Sequence, residues 1–284
     1  MLAKEKFKMK NTYDRSCMHW SENSRKEMED FYSLASVDYK HLSNSHDWKS
    51  WLTQIRQTNN DRTQLLDIAC GSGKFPTALL KQPKIDLSEI KKIDYSLLDP
   101  SFFSIEETAK ILRHPFIVKN KYKTPLQNFN AGGEDFDLLW AVHALYAIPK
   151  SELRVAISKL LDCLKGKAFI AHGCSDGHYV KFYKLFINAF KNAEIDPYIS
   201  AEDIISTLEI LNVNFHYKYL TYTNGGKSFN TNVIERYLQR CVFDNSISLE
   251  EMTQNPLTGG YLNMCQKHDT WEFSQKVMLI FFNH

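Results

Sequence analysis

The sequence predicts an open α/β sheet, mostly parallel, with helices on both faces. Short apolar runs alternate with helix-like patterns from residue 65 to residue 173, and a glycine-rich turn follows the first of these runs. Alternation of this kind indicates parallel strands, because the connecting helices have to cover the faces of the sheet. The alternation stops beyond residue 173, and an apolar run near residue 280 predicts a C-terminal antiparallel strand.

Each element follows from a local pattern. In the alternating region the candidate strands are Leu65–Ala69, Tyr95–Leu98, Phe116–Lys119, Phe136–Val142 and Lys167–His172, and the candidate helices are Phe75–Lys81, Phe102–Arg113 and Ser151–Leu164. Beyond it we expect helices over His178–Lys191, Ala201–Leu211 and 231–242, strands over Asn214–Thr223 and Gln275–Phe282, and a turn at Thr223–Gly226.

The N-terminal segment, residues 1–60, is polar with interspersed aromatics, and we expect two or three helices that pack on the main domain. Met28, Phe31, Tyr32 and Ala35 fall at helical spacing. These rings are either ordinary core or a lid over a binding site. We therefore divide the chain into this cap and one α/β domain, residues 61–284, with insertions on the ligand side at about 174–212 and 223–270.

Composition excludes several classes of protein. The chain has 284 residues, a net charge of +2 and 43% hydrophobic residues, which suits one enlarged domain without a nucleic-acid or membrane-binding charge field. Six cysteines form no C-x-x-C pair, so neither a zinc site nor a disulfide framework is expected. With no secretory signal and no apolar run of about 18 residues, we expect a cytoplasmic, metal-free protein, monomeric or alternatively dimeric.

The run LLDIACGSG, residues 65–73, places an acid and a glycine-rich turn directly after a strand. Gly71 and Gly73 let the backbone approach a ligand and present N–H groups at a helix start. Asp99 ends the next strand, where an acid typically binds two ribose hydroxyls. This order of acid, turn and second acid predicts a nucleoside site; the alternative is a tight turn beside an unrelated surface aspartate.

The same turn excludes two common nucleotide sites. Pro76 stands where a dinucleotide-binding G-x-G-x-x-G motif needs its third glycine. Gly73-Lys-Phe also lacks the hydroxyl with which a phosphate-binding loop holds magnesium. The expected ligand is a nucleoside without a pyrophosphate.

These motifs resemble those of the class I S-adenosylmethionine-dependent methyltransferases. Their first motif reads acid-x-G-x-G-x-G, with Ala69 here at the first glycine, and FDLLW at 136–140 matches their fourth motif. The resemblance implies a seven-stranded Rossmann-like sheet, an N-terminal helical lid, S-adenosylmethionine as cofactor and S-adenosylhomocysteine as product. It implies that the methionine part of the cofactor faces Asp67 and the backbone of residues 69–73, that the cofactor ribose binds Asp99 and that its adenine lies near Thr124. The full predicted cofactor site is Asp67, Ala69, Cys70, Gly71, Gly73, Asp99, Pro100, Ser101, Thr124 and Val142.

A closer resemblance is to the histamine N-methyltransferase-like group of small-molecule enzymes. It is carried by LLDPSFFSIEE, by VHALYAIP and by the order of elements in the C-terminal half. The base-methylating families carry [DN]-P-P-[YF] after strand four, and AVHALYAIP departs from it. Ala147 and His143 replace an aromatic and a glutamine of the group, so histamine itself is in doubt. The resemblance places at the substrate Glu22, His143, Tyr146 and Gln275. Tyr13 and Trp20 of the aromatic-rich N-terminal segment are added as walls for a cationic substrate.

Two residues are candidates for the chemistry. Glu22 would hold the ammonium form of an amine, and His143 would accept its proton. Each has a structural alternative, a solvated helix-cap acid for Glu22 and a backbone-satisfied histidine for His143. We interpret His172 and His178 as structural, and Cys70 as a small residue in a tight space.

The predicted function is transfer of a methyl group to nitrogen of a small amine, imidazole or guanidine-like metabolite. A small-molecule O-methyltransferase acting on a carboxylate or hydroxyl is the first alternative. A methyltransferase-fold protein that binds without catalysis is the second. A protein methyltransferase needs an open groove, whereas an aromatic lid favours an enclosed pocket.

Overall fold

A mixed sheet forms the centre of the molecule. The computed structural model describes residues 11–54, 62–191, 195–227 and 230–283. Seven strands follow the order β3-β2-β1-β4-β5-β8-β6, and the two-residue β7 pairs with β8. The strands are β1 Thr63–Ile68, β2 Ile93–Leu98, β3 Phe116–Tyr122, β4 Phe136–Val142, β5 Leu164–Gly173, β6 Phe215–Lys227, β7 Gln266–Lys267 and β8 Thr270–Asn283. The strands β1 to β5 are parallel to one another, and β8 pairs antiparallel with both β5 and β6, which confirms the predicted fold class.

Helices flank this sheet. They are α1 Thr12–His19, α2 Arg25–Asn44, α3 Trp48–Thr53, α4 Lys74–Leu80, α5 Phe102–Ile111, α6 Leu153–Cys163, α7 His178–Phe190, α8 Ala201–Ile210, α9 Thr231–Cys241, α10 Leu249–Gln254 and α11 Pro256–Cys265. Within the described ranges, none of these helices has the length and apolarity needed to cross a membrane. The predicted boundary between residues 60 and 61 lies outside the described residues.

Successive residues of β1 point to opposite faces, and each face has its own core. Leu66 packs in a cluster that includes Ile157 of α6, whereas Leu65 packs in one that includes Trp48 of α3 and Phe75 of α4. Because helices cover both faces, β1 is buried from Gln64 to Ile68. This explains why adjacent leucines, and not alternating ones, stand in the first strand.

A third core lies among α2, α7 and α9. Phe31 of α2 stacks on Tyr237 of α9 with ring centroids 5.5 Å apart, and Ala35 is 1% exposed in the same cluster. The N-terminal helices are therefore core. Phe31 also lines the large cavity described below.

The predicted turn at Thr223–Gly226 is wrong. These residues continue β6, paired with β8 from Thr223 opposite Ser274 to Gly226 opposite Trp271. A Cβ on Gly225 would lie 2.0 Å from the carbonyl oxygen of Trp271, so glycine is required by close contact between backbones and not by a turn.

Helices α10 and α11 occupy residues 249–265, for which we predicted no elements from the sequence. A reciprocal capping box formed by Ser248 and Glu251 begins α10, and Pro256 occupies the first turn of α11. Both are recognisable helix-start signals in the sequence.

Candidate active site

The glycine turn owes its shape to left-handed backbone at alternate residues. Ala69, Gly71 and Gly73 have φ of 49°, 53° and 64°. A Cβ on Gly73 would also lie 2.6 Å from Cδ1 of Ile111, so glycine lets α5 pack directly behind the turn. Ala69 adopts the same conformation with a side chain, at a cost of about 1 kcal/mol.

Two buried acids lie at the ends of β1 and β2: Asp67 is the last but one residue of β1, and Asp99 directly follows β2. The Asp99 carboxylate accepts N–H bonds from Gly71 at 3.0 Å and Ser101 at 2.8 Å, while burial raises its pKa to about 6. Asp67 accepts a 2.6 Å bond from the Tyr95 hydroxyl, and burial raises its pKa to about 7. Asp99 thus ties the glycine turn to the loop after β2.

A cavity of about 1450 Å³, its open mouth included, runs along the carboxyl ends of β1, β2 and β4. Gly73 lies behind the turn and does not line it. The other nine residues of the predicted cofactor site do, namely Asp67, Ala69, Cys70, Gly71, Asp99, Pro100, Ser101, Thr124 and Val142.

Four of the six predicted substrate residues line the same cavity: Tyr13, Trp20, His143 and Tyr146. The structure does not bring the other two to it. Glu22 is exposed in a short 3₁₀ turn before α2. Gln275 is 1% exposed on β8 opposite Tyr222, outside the cavity lining.

His143 is held as a neutral imidazole. Its Nδ1 lies 2.8 Å from the Tyr146 hydroxyl, which already accepts the Gly173 N–H at 3.0 Å. We assign the Tyr146 hydroxyl as the donor to Nδ1, the tautomer in which this hydroxyl both donates and accepts, and this leaves the imidazole proton on Nε2. Burial lowers the pKa of His143 to about 3. A ring in this state donates a hydrogen bond and is a poor proton acceptor, contrary to the role expected from the sequence.

Asp38 is a cavity residue that our sequence reasoning missed. It lies on α2, is 2% exposed and accepts a 2.6 Å bond from the Tyr179 hydroxyl. Its Oδ1 has no hydrogen-bond partner among the described residues. Burial raises the Asp38 pKa to about 7, although Tyr179, Asn224 and Tyr222 lower it. The signal was available, because Asp38 continues the buried stripe of Phe31 and Ala35 at helical spacing.

Aromatic rings surround this end of the cavity. The Tyr146 ring lies parallel to His143, within 9°, and its centroid is 6.2 Å from that of Tyr179. Tyr39 meets the His143 ring edge-on with centroids 6.1 Å apart. The cavity therefore has one end at the glycine turn and an aromatic end that contains a carboxyl group.

A second missed residue is Arg240 of α9, which is 2% exposed and lines the cavity. No local pattern in the sequence marks it, since a single arginine on a helix is usually solvated.

One group of potential metal ligands lies elsewhere. The ligand atoms of Cys174, Asp176 and Glu202 are within 4.8 Å of one another. Lys276 pairs with Asp176 at 2.8 Å, and the Ser175 N–H donates to Glu202 at 2.9 Å. These contacts account for both acids without a metal ion.

Solved structures share this arrangement of the whole chain. Magnesium protoporphyrin IX methyltransferase from Synechocystis, with bound S-adenosylhomocysteine, is 11% identical over 95% of this chain and 99% of that one, with a TM-score of 0.52. The chain has the class I methyltransferase fold. The YcgJ protein from Bacillus subtilis is 12% identical over 84% of this chain and 97% of that one, with a TM-score of 0.50. No protein-family model matches the chain, and neither does any curated protein.

Proposed function

We propose that the protein is an S-adenosylmethionine-dependent methyltransferase that acts on nitrogen of a small amine, imidazole or guanidine-like metabolite. One observation carries the proposal: a single cavity joins the glycine turn and Asp99 to an aromatic end that holds the Asp38 carboxyl. The methyltransferase fold supports the cofactor, and the Asp38 end supports the choice of acceptor.

The residues at the glycine turn fit a nucleoside. Each oxygen of Asp99 uses one lone pair on a backbone N–H, which leaves lone pairs for two ribose hydroxyls. A Cβ on Gly71 would meet no protein atom closer than 3.9 Å, so the turn presents bare backbone on that side. When bound, S-adenosylmethionine supplies a methyl group on a cationic sulfonium.

The aromatic end suits a cationic acceptor. Tyrosine faces attract a cation by about 0.5–2 kcal/mol each, and the Asp38 carboxylate adds an opposite charge. His143 is neutral here, so it does not repel such a ligand. A carboxyl group with a pKa near 7 is also suited to accept the proton that an ammonium group loses before attack.

The reaction itself requires alignment. The acceptor nitrogen lone pair forms the new N–C bond while the C–S bond breaks and its electron pair stays on sulfur. The ammonium proton passes to Asp38. Holding the reacting atoms in line can lower the barrier by about 7–11 kcal/mol, so an enclosed cavity can provide most of the catalysis.

Binding of the cofactor is tested first. We expect S-adenosylmethionine and S-adenosylhomocysteine to raise the melting temperature, and Asp99→Ala to remove that rise. No rise at millimolar ligand would overturn the proposal.

The acceptor is tested by release of S-adenosylhomocysteine over amines, imidazoles, guanidines, carboxylates and phenols. Turnover of the nitrogen compounds is expected, and turnover of hydroxyls or acids alone would favour the O-methyl alternative. Asp38→Asn should weaken the binding of cationic acceptors without affecting cofactor binding. Glu29→Gln is the matched control, because Glu29 is an exposed acid on the same helix. Glu22→Gln tests the acid suggested by the sequence. If Asp38 is the acid that binds the acceptor, Glu22→Gln should leave turnover of cationic acceptors unchanged.

A further inference from the structure

Arg240 is a buried cation with unused hydrogen-bond donors. It is 2% exposed, and Nη2 donates to the carbonyl oxygen of Ser24 at 3.3 Å. Nε and Nη1 are buried without a partner among the described residues. An unpaired buried guanidinium is costly, because both its charge and its N–H groups have lost water.

A second buried arginine has its charge compensated. Arg15 is 5% exposed, donates to the carbonyl oxygens of Phe243 and Val242, and lies 3.5 Å from the Asp244 carboxylate, although its Nη1 also has no partner among the described residues. In the described part of the chain, no carboxylate forms such a pair with Arg240. The two residues also differ in position, since Arg240 lines the cavity and Arg15 does not.

The surroundings orient the Arg240 guanidinium toward a ligand. Its Cζ lies 4.7 Å from the centre of the Trp20 ring, which supports the planar group from one side. Burial lowers the pKa of Arg240 to about 10, and Tyr32, Glu27 and Tyr198 partly oppose that effect. At neutral pH the group stays charged.

We propose that Arg240 binds a carboxylate inside the cavity with its unpartnered donors, Nε and Nη1. Each of them lies beside Nη2, which has a second N–H besides the one donated to Ser24. Either unpartnered donor can therefore form, together with Nη2, a two-donor face that matches the two oxygens of a carboxylate. The inference rests on the proposed function, since the carboxylate belongs to one of that reaction's two substrates.

Two sources can supply this carboxylate. One is the acceptor, which then carries an amine for Asp38 and an acid for Arg240, as an amino acid does. The other is the amino-acid end of S-adenosylmethionine. Tyr32 supports the cofactor as the source, because it connects Arg240 to the glycine turn. Tyr32 interacts electrostatically with Arg240. The centre of the Tyr32 ring lies 4.4 Å from Nζ of Lys74, the residue next to the glycine turn.

The experiment separates the two sources with paired probes. Binding of S-adenosylhomocysteine and of methylthioadenosine, which lacks the amino-acid end, is measured by calorimetry for the wild type, Arg240→Gln and Arg240→Lys. Turnover is measured for histidine against histamine, tyrosine against tyramine and arginine against agmatine. Arg236→Gln is the matched control, because Arg236 lies on the same helix, pairs with Asp30 and is outside the cavity lining.

If the cofactor supplies the carboxylate, Arg240→Gln weakens the binding of S-adenosylhomocysteine about 10- to 100-fold and leaves the binding of methylthioadenosine unchanged. If the acceptor supplies it, the wild type prefers the amino acid of a pair, and Arg240→Gln removes that preference while cofactor binding is kept. Arg240→Lys retains part of either effect, because it keeps the charge without the fork.

Other results overturn the inference. Unchanged binding and turnover in Arg240→Gln, or equal losses for both members of every pair, would show a purely structural arginine. Since each comparison is a ratio within one protein, partial loss of folding does not imitate the expected result. A wild type that binds neither nucleoside would instead refute the proposed function, and the carboxylate site with it.

Discussion

The Tyr179 hydroxyl donates a 2.6 Å hydrogen bond to the Asp38 carboxyl, and this bond joins helix α7 to helix α2 at the aromatic end of the cavity. Both groups are buried. The bond favours the charged carboxylate, whereas burial disfavours it more strongly. The balance places the Asp38 pKa close to neutrality, and the first two predictions depend on this value.

The pH dependence of activity reports the Asp38 charge. With a pKa of about 7, Asp38 is mostly protonated below pH 7 and charged above it. We expect kcat/KM for a cationic acceptor to rise with pH through about 7 and Asp38→Asn to lower it about 10²- to 10⁴-fold. Tyr179→Phe removes a bond that lowers this pKa, so the rise should move to higher pH. An unshifted profile in Tyr179→Phe would count against Asp38.

The same pKa affects stability. Because folding raises the Asp38 pKa from 3.8 to about 7, the folded state holds a proton that the unfolded state releases. The Asp38 contribution to the free energy of unfolding therefore falls by about 1.4 kcal/mol per pH unit between those values. Asp38→Asn should gain stability relative to the wild type as pH rises from 4.5 to 7.5, as measured by urea unfolding. A difference that is the same at both pH values would refute this.

A buried histidine makes the free energy of unfolding depend on pH in the opposite direction. Burial lowers the pKa of His178 from 6.5 to about 3, so the unfolded state binds more protons and stability falls as pH drops across that range. His178→Phe suits the stacked rings of Phe182 and Tyr237 but loses the 2.8 Å bond to Tyr261. We expect the variant to be less stable at pH 7.5 by about 1 kcal/mol. That deficit should shrink at pH 4.5 in urea titrations, and a constant deficit would contradict the assignment.

Alanine substitutions at the two glycines of the turn should have different effects on stability and on ligand binding. Gly73→Ala places a Cβ 2.6 Å from Ile111, in left-handed backbone, and should lower stability by about 1–3 kcal/mol. Gly71→Ala has space around its Cβ and should cost only about 1 kcal/mol of backbone strain. Gly71→Ala should nonetheless weaken the binding of S-adenosylhomocysteine more than Gly73→Ala does, because Gly71 lines the cavity and Gly73 does not. Thermal melts and calorimetry on the pair test this, and equal binding losses would contradict it.

The two ends of the cavity differ in how far the sequence predicts them. The glycine turn and Asp99 are local signals, since a strand end and its following loop fix their positions. The aromatic end depends on helices far apart in the chain: Arg240 contacts Ser24, 216 positions away. No spacing rule brings such residues together, so Arg240 was missed and the exposed Glu22 was chosen in place of Asp38.

His143 shows a second limit. The sequence suggested His143, after β4, as a site residue, and the structure places it in the cavity lining. Its proton chemistry, however, depends on the Tyr146 hydroxyl and on burial, which only tertiary packing determines. A residue type with an ordinary pKa near 6.5 was therefore expected to be a base, and folding makes it a neutral donor.

The aromatic end of the cavity is built largely on α2 and α7, whereas the end at the glycine turn is built on loops of the sheet. Substitutions on the two helices can therefore change which molecule is accepted while the glycine turn keeps its geometry. Libraries aimed at new acceptors would accordingly vary the inward positions of these two helices and leave the turn intact.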